Sequence, residues 1–192
     1  MFKEKATSTD AVGAGLIARP STGAGASAGG VFHVQCFDKD GNLKWETSEH
    51  NLVVNEGLQS MNAQYFKGSS YTGAFYLGLI TGPGSGTTYA GSDTLASKAW
   101  TEFTNYTGAR KAVTFGTATT ANPSIIDNTA SPASFTISST GGVVAGAFLC
   151  TVSSGTSGVL FSEADFQAPG DRTVVASDTL NVTYAFALVG SA

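Results

Sequence analysis

Hydrophobic and polar residues alternate along much of the chain with a period of two, which is typical of half-buried β-strands. The alternation starts at Val31 and is clearest near the end of the chain, at 180–188. Turn residues interrupt the pattern roughly every ten residues, so we expect a mainly β, jelly-roll-like antiparallel sandwich rather than β-α-β units. The remaining predicted strands of this kind lie at 43–47, 111–116, 133–138, 143–152 and 158–161.

One segment, about 56–66, has the spacing of a helix instead. Leu58, Met61 and Tyr65 recur at helical intervals and predict an apolar stripe along one face. Asn55, directly before them, is a residue type that is favoured as an N-cap. We therefore expect one main helix in an otherwise β-rich fold.

Two further segments depart from the alternation. Residues 75–80 form a continuous apolar run, which predicts a strand that is buried on both faces. Residues 93–100 fit a short helix that would turn Leu95, Ala96 and Ala99 inward. Both segments are expected to contribute to the core of the sandwich.

The first thirty residues, 1–30, differ from the rest in being rich in Ala, Gly, Ser and Thr. A signal peptide is the alternative interpretation, but Gly13 and Gly15 interrupt the only apolar stretch. We predict an extended N-terminal arm at 1–30 and a single β-rich domain at 31–192. The candidate partner-binding anchors of the arm are Phe2, Leu16, Ile17 and Arg19.

Charge is scarce and unevenly distributed. Only 12% of the 192 residues are charged, against a usual share of roughly 25%. Residues 112–192 carry one basic residue against five acidic ones, which accounts for the whole net charge of −4. This balance argues against nucleic-acid binding, and no apolar run reaches the roughly 18 residues of a membrane span. A surface of hydroxyl groups suits a protein that lies against a partner, and it equally suits a compact β domain with Thr on its outer faces.

No motif predicts catalytic chemistry, a cofactor or a metal. Residues 25–29 match GxSxG, but no strand precedes the Ser and no His follows late in the chain. The two cysteines, Cys36 and Cys150, are expected to be buried free thiols, although a disulfide between them is left open. We therefore expect a protein that is not an enzyme.

Two functional alternatives remain at this point. Glu163 and Asp165 lie two apart on what is predicted to be an exposed turn, where solvation explains them, yet hydrolase chemistry with unrecognised carboxylates stays open. A receptor- or sugar-binding surface would need a platform of exposed aromatic rings, whereas burial in the core is the commoner fate of tryptophan. The rings considered for that platform are Trp45, Tyr71, Trp100 and Tyr106.

The chain resembles small structural proteins that are encoded among the virion genes of tailed bacteriophages. The run Phe-His-Val-Gln-Cys-Phe-Asp-Lys-Asp-Gly-Asn-Leu-Lys-Trp at 32–45 carries this resemblance, followed by His-Asn-Leu-Val-Val-Asn-Glu-Gly-Leu at 50–58. The other segments that fit lie at 76–79, 89–97, 100–106, 146–149, 155–161 and 178–183. The motifs are structural rather than chemical, and the arm lies outside them.

The resemblance implies a head decoration (cement) protein, which binds and stabilises the capsid lattice on the exterior of the virion after synthesis in the host cytoplasm. It implies the major capsid protein as partner and a homo-oligomer, with a trimer favoured. With the resemblance we expect no catalytic residues and no cofactor, and neither a nucleic acid nor a membrane as a partner. A phage tail or fibre component is the alternative within the same group.

Overall fold

The computed structural model describes residues 26–68, 73–82, 89–167 and 170–190. Within these residues the chain forms one helix and twelve strands, most of them short. In chain order the elements are β1 (Ser27–Phe37), β2 (Leu43–His50), β3 (Leu52–Val53), α1 (Asn55–Phe66), β4 (Tyr76–Thr81), β5 (Glu102–Phe103), β6 (Lys111–Ala112), β7 (Ser124–Asp127), β8 (Ala133–Thr136), β9 (Gly142–Cys150), β10 (Leu160–Asp165), β11 (Arg172–Val174) and β12 (Thr179–Val189). The predicted mainly β sandwich with one main helix is confirmed.

The strands form two antiparallel sheets. The first sheet has the order β2-β1-β12-β7, and β8 pairs with a different part of β12. The second has the order β3-β10-β9-β4-β5, with β6 beside β4 and β11 beside β9. Since β1 lies between two partners, whereas β2 pairs only with β1 among the described residues, β2 is an edge of the first sheet.

The core lies between the sheets and continues over the outer face of the second one. Alternate residues of β1 and β12 are buried, among them Phe32, Val34, Val182 and Tyr184. β4 is buried on both faces as expected, because the segment that contains Trp100 covers its outer side. This outer layer is a second apolar cluster, made of Val54, Ile80, Leu95, Trp100, Ala145, Phe148, Cys150 and Leu160.

The N-terminal boundary of the domain differs from the expectation. Ser27 to Gly30 were assigned to the arm, but they belong to β1 and pair with the last residues of β12. Their small side chains show no alternation, and the backbone pairing alone places them in the sheet. Gly30 is required there, because a Cβ atom would lie 2.4 Å from the carbonyl oxygen of Ala185. Residues 1–25 lie outside the described residues.

α1 matches its predicted range, but two details of the prediction were wrong. Asn55 is the first helical residue instead of the N-cap, which is Val54 and makes no side-chain capping bond. Of the predicted stripe only Met61 packs against the core, whereas Leu58 and Tyr65 are exposed and Gly57 is the fully buried residue of the helix. The buried face of the helix is the one that contains Gly57, because the helix backbone contacts β10 at that position.

The short helix predicted at 93–100 was also wrong. This segment is a series of turns in which the Asp93 carboxylate accepts a hydrogen bond from the backbone N–H of Ala90. Leu95 is buried as expected, whereas Ala96 and Ala99 are exposed. Short side-chain hydrogen bonds of this kind compete with helix formation.

Candidate functional site

The candidate anchors of the arm, Phe2, Leu16, Ile17 and Arg19, lie outside the described residues. The structure does describe the base from which the arm departs. Ser27 pairs with Val189 at the end of the sandwich, and the side chain of Asn51 accepts a hydrogen bond of 2.5 Å from the backbone N–H of Gly30. The first residues of β1 therefore pair with β12 on one side, and β2 joins the other side of the strand from Val31 onward.

The exposed side of α1 carries the most solvent-accessible aromatic residues among those described. Tyr65 and Phe66 are 84% and 80% exposed, and their ring centroids lie 4.9 Å apart in an edge-to-face contact. Leu58, about two turns earlier on the helix, is 39% exposed. Exposed apolar groups of this kind mark interaction surfaces in soluble proteins.

Those rings of the proposed sugar-binding platform that the structure describes do not form a shared exposed surface. Trp100 and Tyr106 are only 5% and 6% exposed and belong to two different apolar clusters. Trp45 is half-buried and packs edge-on against Phe166 with a centroid distance of 6.2 Å. Tyr71 lies outside the described residues. The interpretation of tryptophan as a core residue is therefore confirmed for Trp100, whereas Trp45 is only half-buried.

A cleft of about 340 Å³ brings together acidic side chains that the sequence separates by more than a hundred residues. It lies where the end of the edge strand β2 meets β3 and β10. We call it the acidic cleft, and its lining residues are Glu49, His50, Leu52, Tyr89, Glu163, Ala164, Asp165 and Gln167.

Glu163 is the most unusual residue of the acidic cleft. Its side chain is fully buried, its Oε2 accepts a 2.5 Å hydrogen bond from the indole N–H of Trp100, and its Oε1 has no hydrogen-bond partner among the described residues. Burial raises the pKa of this carboxyl group to about 7, while the hydrogen bond from Trp100 lowers it and the neighbouring Asp93 carboxyl raises it. A contact between Glu163 and Asp93 becomes a hydrogen bond only when one of them carries a proton.

Asp165 and Glu49 complete the acidic lining. Asp165 accepts hydrogen bonds from Tyr89 Oη at 3.3 Å and from Gln167 Nε2 at 2.9 Å. Its pKa is raised by partial burial, with the charges of Asp171 and Glu49 acting in the same direction against the Tyr89 hydrogen bond. Glu49 is 7% exposed and accepts a 2.6 Å hydrogen bond from Thr47 Oγ1. These carboxylates repel one another, so a cation in the cleft would be stabilised.

The expectation that Glu163 and Asp165 lie on a solvated turn was wrong, because both belong to β10. Their i, i+2 spacing places them on one face of the strand, where the turns at 89–100 cover Glu163. The alternation of side chains along a strand would have placed Glu163 and Asp165 on the same face of β10. It could not show that the turns at 89–100 cover Glu163, because that contact forms only in the tertiary structure. Glu49 lies just beyond the strand predicted at 43–47, and nothing in its local sequence places it near β10.

The two cysteines and the Arg110–Glu102 pair belong to the packing of the domain. Cys36 and Cys150 are both buried free thiols, as expected, and burial raises the pKa of Cys36 to about 12. Among the described residues, no three side chains of His, Cys, Asp or Glu are placed to hold one metal ion. Arg110 and Glu102 form a double hydrogen bond of 2.9 and 2.7 Å over the ring of Phe148, which closes the outer layer.

Comparisons with protein-family models, with curated proteins and with solved structures find no match for the chain. In the described part of the chain, α1 falls short of the length and hydrophobicity that a membrane-spanning helix needs. The function is therefore inferred from the residues of this chain alone.

Proposed function

We propose that the protein is a structural component of a tailed-phage particle that binds and stabilises the capsid lattice as a decoration protein. The observation that carries the proposal is the exposed aromatic pair Tyr65 and Phe66 on α1, on the side of the helix that its own domain does not cover. The major capsid protein is the proposed partner, and the protein associates with further copies of itself.

α1 supports this proposal because its own sequence does not explain its stability. Isolated helices shorter than about 12–15 residues are marginal in water. This helix has 12 residues and contacts mainly β10. A partner surface that covers Leu58, Tyr65 and Phe66 would bury apolar area that the isolated domain leaves in water, at roughly 25 cal/mol per Å².

The position of the arm supports the same function. Residues 1–25 precede β1, which has strands on both sides. A fully extended segment of that length spans at most about 90 Å, enough to cross a neighbouring subunit. Arms that add a strand to a neighbour bind through backbone hydrogen bonds, and a few apolar anchors set the register.

The decisive experiment is sedimentation of the purified full-length protein with undecorated capsids of the phage that encodes it. We expect the wild type to co-sediment with the capsids and to saturate. The double variant Tyr65→Ser/Phe66→Ser should bind at least about tenfold more weakly, because hot spots of this kind cost 2 kcal/mol or more when removed.

The matched control is Leu43→Ser/Val175→Ser, which removes two apolar side chains that are 50% and 53% exposed outside α1. This variant should bind as the wild type does. Failure of the wild type to bind capsids would overturn the decoration function, and copurification with tails rather than heads would assign the protein to the tail or fibre.

A further inference from the structure

Two features of the described domain that could bind a partner lie next to each other. The first is the edge strand β2, which pairs only with β1 among the described residues, so that one side of its backbone has no strand partner. The second is the acidic cleft, which begins at Glu49 and His50 at the end of that strand. An unpaired edge is a template for an added strand, and an uncompensated acidic cleft favours a cation.

The buried member of the cleft has an unsatisfied polar atom among the described residues. Glu163 lines the cleft, is fully buried, and has one oxygen without a hydrogen-bond partner among the described residues. Asp165, two residues further along β10, is a partly exposed carboxylate of the same cleft, and Glu49 adds a mostly buried one. Buried charges of this kind are normally paired with an opposite charge.

We propose that the arm of a second copy adds as a strand along β2 and places Arg19 in the acidic cleft, against Asp165 and Glu49. The contact joins copies of this chain to one another. It does not depend on the proposed binding to capsids, and it defines a different surface from the exposed aromatic pair on α1.

The charge distribution of the chain favours this occupant. Of the 10 basic and 14 acidic residues, three basic and two acidic ones lie at 1–25, which leaves seven basic against twelve acidic residues in the rest. The other two arginines are already engaged, since Arg110 pairs with Glu102 and Arg172 lies over the ring of Trp45. Arg19, in the arm, is the third arginine of the chain.

A guanidinium group suits the cleft better than a compact cation does. Its planar fork presents five donors and can bond separate carboxylates at once, whereas a metal ion needs ligands that converge on one point. The carboxylates of the cleft do not form such a group among the described residues. Leu52, which is 37% exposed in the same cleft, offers an apolar surface to Leu16 or Ile17 on the arm.

The test is a charge exchange between the arm and the cleft in full-length protein, followed by analytical ultracentrifugation. We expect the wild type to self-associate. Arg19→Glu and Asp165→Lys should each weaken self-association at least about tenfold, because each places like charges together. Lys5→Glu in the arm and Asp40→Lys in an exposed turn are the matched controls and should associate as the wild type does.

Mixing the two variants distinguishes a second copy from the chain's own arm. An equimolar mixture of Arg19→Glu and Asp165→Lys restores opposite charges only between different molecules, so we expect hetero-association to return. The Arg19→Gln and Asp165→Asn variants, which remove charge without reversing it, should show smaller losses. Circular dichroism and thermal unfolding of each variant confirm that the domain is folded.

Three results would overturn the inference. They are a wild type that stays monomeric at high micromolar concentration, folded variants that associate as the wild type does, and a mixture that fails to recover association. Loss of self-association with unchanged capsid binding would leave the proposed function standing. Loss of capsid binding alone would leave the contact between copies standing.

Discussion

At the scale of single residues, the burial of Glu163 makes folding stability depend on pH. Burial beneath Trp100 raises the pKa of its carboxyl group from 4.5 to about 7. The folded state therefore binds this proton more tightly than the unfolded chain does. The resulting stabilisation is complete below pH 4.5, and it is lost as the pH rises through 7.

We predict that Glu163→Gln removes this pH dependence. Between pH 5 and pH 8 the wild type should lose about 2 to 3 kcal/mol of unfolding free energy relative to the variant, since one pKa unit corresponds to about 1.4 kcal/mol. The measurement is urea unfolding at both pH values. Glutamine keeps an oxygen that accepts the hydrogen bond of Trp100, so the variant should fold.

Glu46→Gln is the control for this experiment, because Glu46 is exposed on β2 and lies outside the acidic cleft. Its pH profile should follow that of the wild type. A Glu163→Gln variant with the same slope between pH 5 and pH 8 as the wild type would contradict the account of the buried carboxyl group.

At the scale of secondary-structure elements, the contact between α1 and β10 decides which face of the helix is buried. A Cβ atom on Gly57 would lie 2.4 Å from the carbonyl oxygen of Phe161. The helix therefore approaches the strand more closely than any other residue would allow. Glu56, next to it, accepts hydrogen bonds from the backbone N–H groups of Leu160 and Leu95 at 2.7 and 3.3 Å, which fixes the start of the helix.

We predict that Gly57→Ala destabilises the protein although alanine is the better helix former by about 1 kcal/mol. The added methyl group would force α1 away from β10, and overpacking of this kind costs about 1 to 3 kcal/mol. The midpoint of urea unfolding should fall accordingly. Asn62→Ala, at an exposed position of the same helix, is the control and should be neutral or slightly stabilising.

A Gly57→Ala protein as stable as the Asn62→Ala protein would show that the close approach is not required. The sequence suggested an N-cap at Asn55 and an apolar stripe through Leu58 and Tyr65, because periodicity and capping rules use local signals only. The glycine contact comes from a strand about a hundred residues later in the chain, so no local rule identifies it.

At the scale of the whole molecule, a buried polar network connects the two sheets through their apolar core. Tyr184 of β12 in the first sheet accepts hydrogen bonds from Ser162 Oγ of β10 at 3.1 Å and from Asn51 Nδ2 at 2.7 Å. Asn51 in turn bonds Gly30 at the base of the arm. The network thus links both sheets, the chain segment that crosses between them and the first strand.

We predict that Tyr184→Phe lowers the unfolding free energy by about 1 to 3 kcal/mol, because Ser162 and Asn51 lose a buried acceptor. A double-mutant cycle with Ser162→Ala tests whether the residues act together. Ser162→Ala should cost at least about 0.5 kcal/mol less in the Tyr184→Phe background than in the wild type. Urea unfolding of the four proteins gives the four free energies, and strictly additive values would contradict a shared network.

The sequence by itself determined the class of fold, because a period of two, a helical segment and regular turn residues are local properties. Most strands, the range of the main helix and the buried free cysteines followed from these patterns. The tertiary structure alone decided which residues share a site. Glu49 and Glu163 lie on strands from different sheets, and the turns that bury Glu163 contact it only after folding. Burial and charge at the acidic cleft depend on these distant contacts, and local patterns do not contain them.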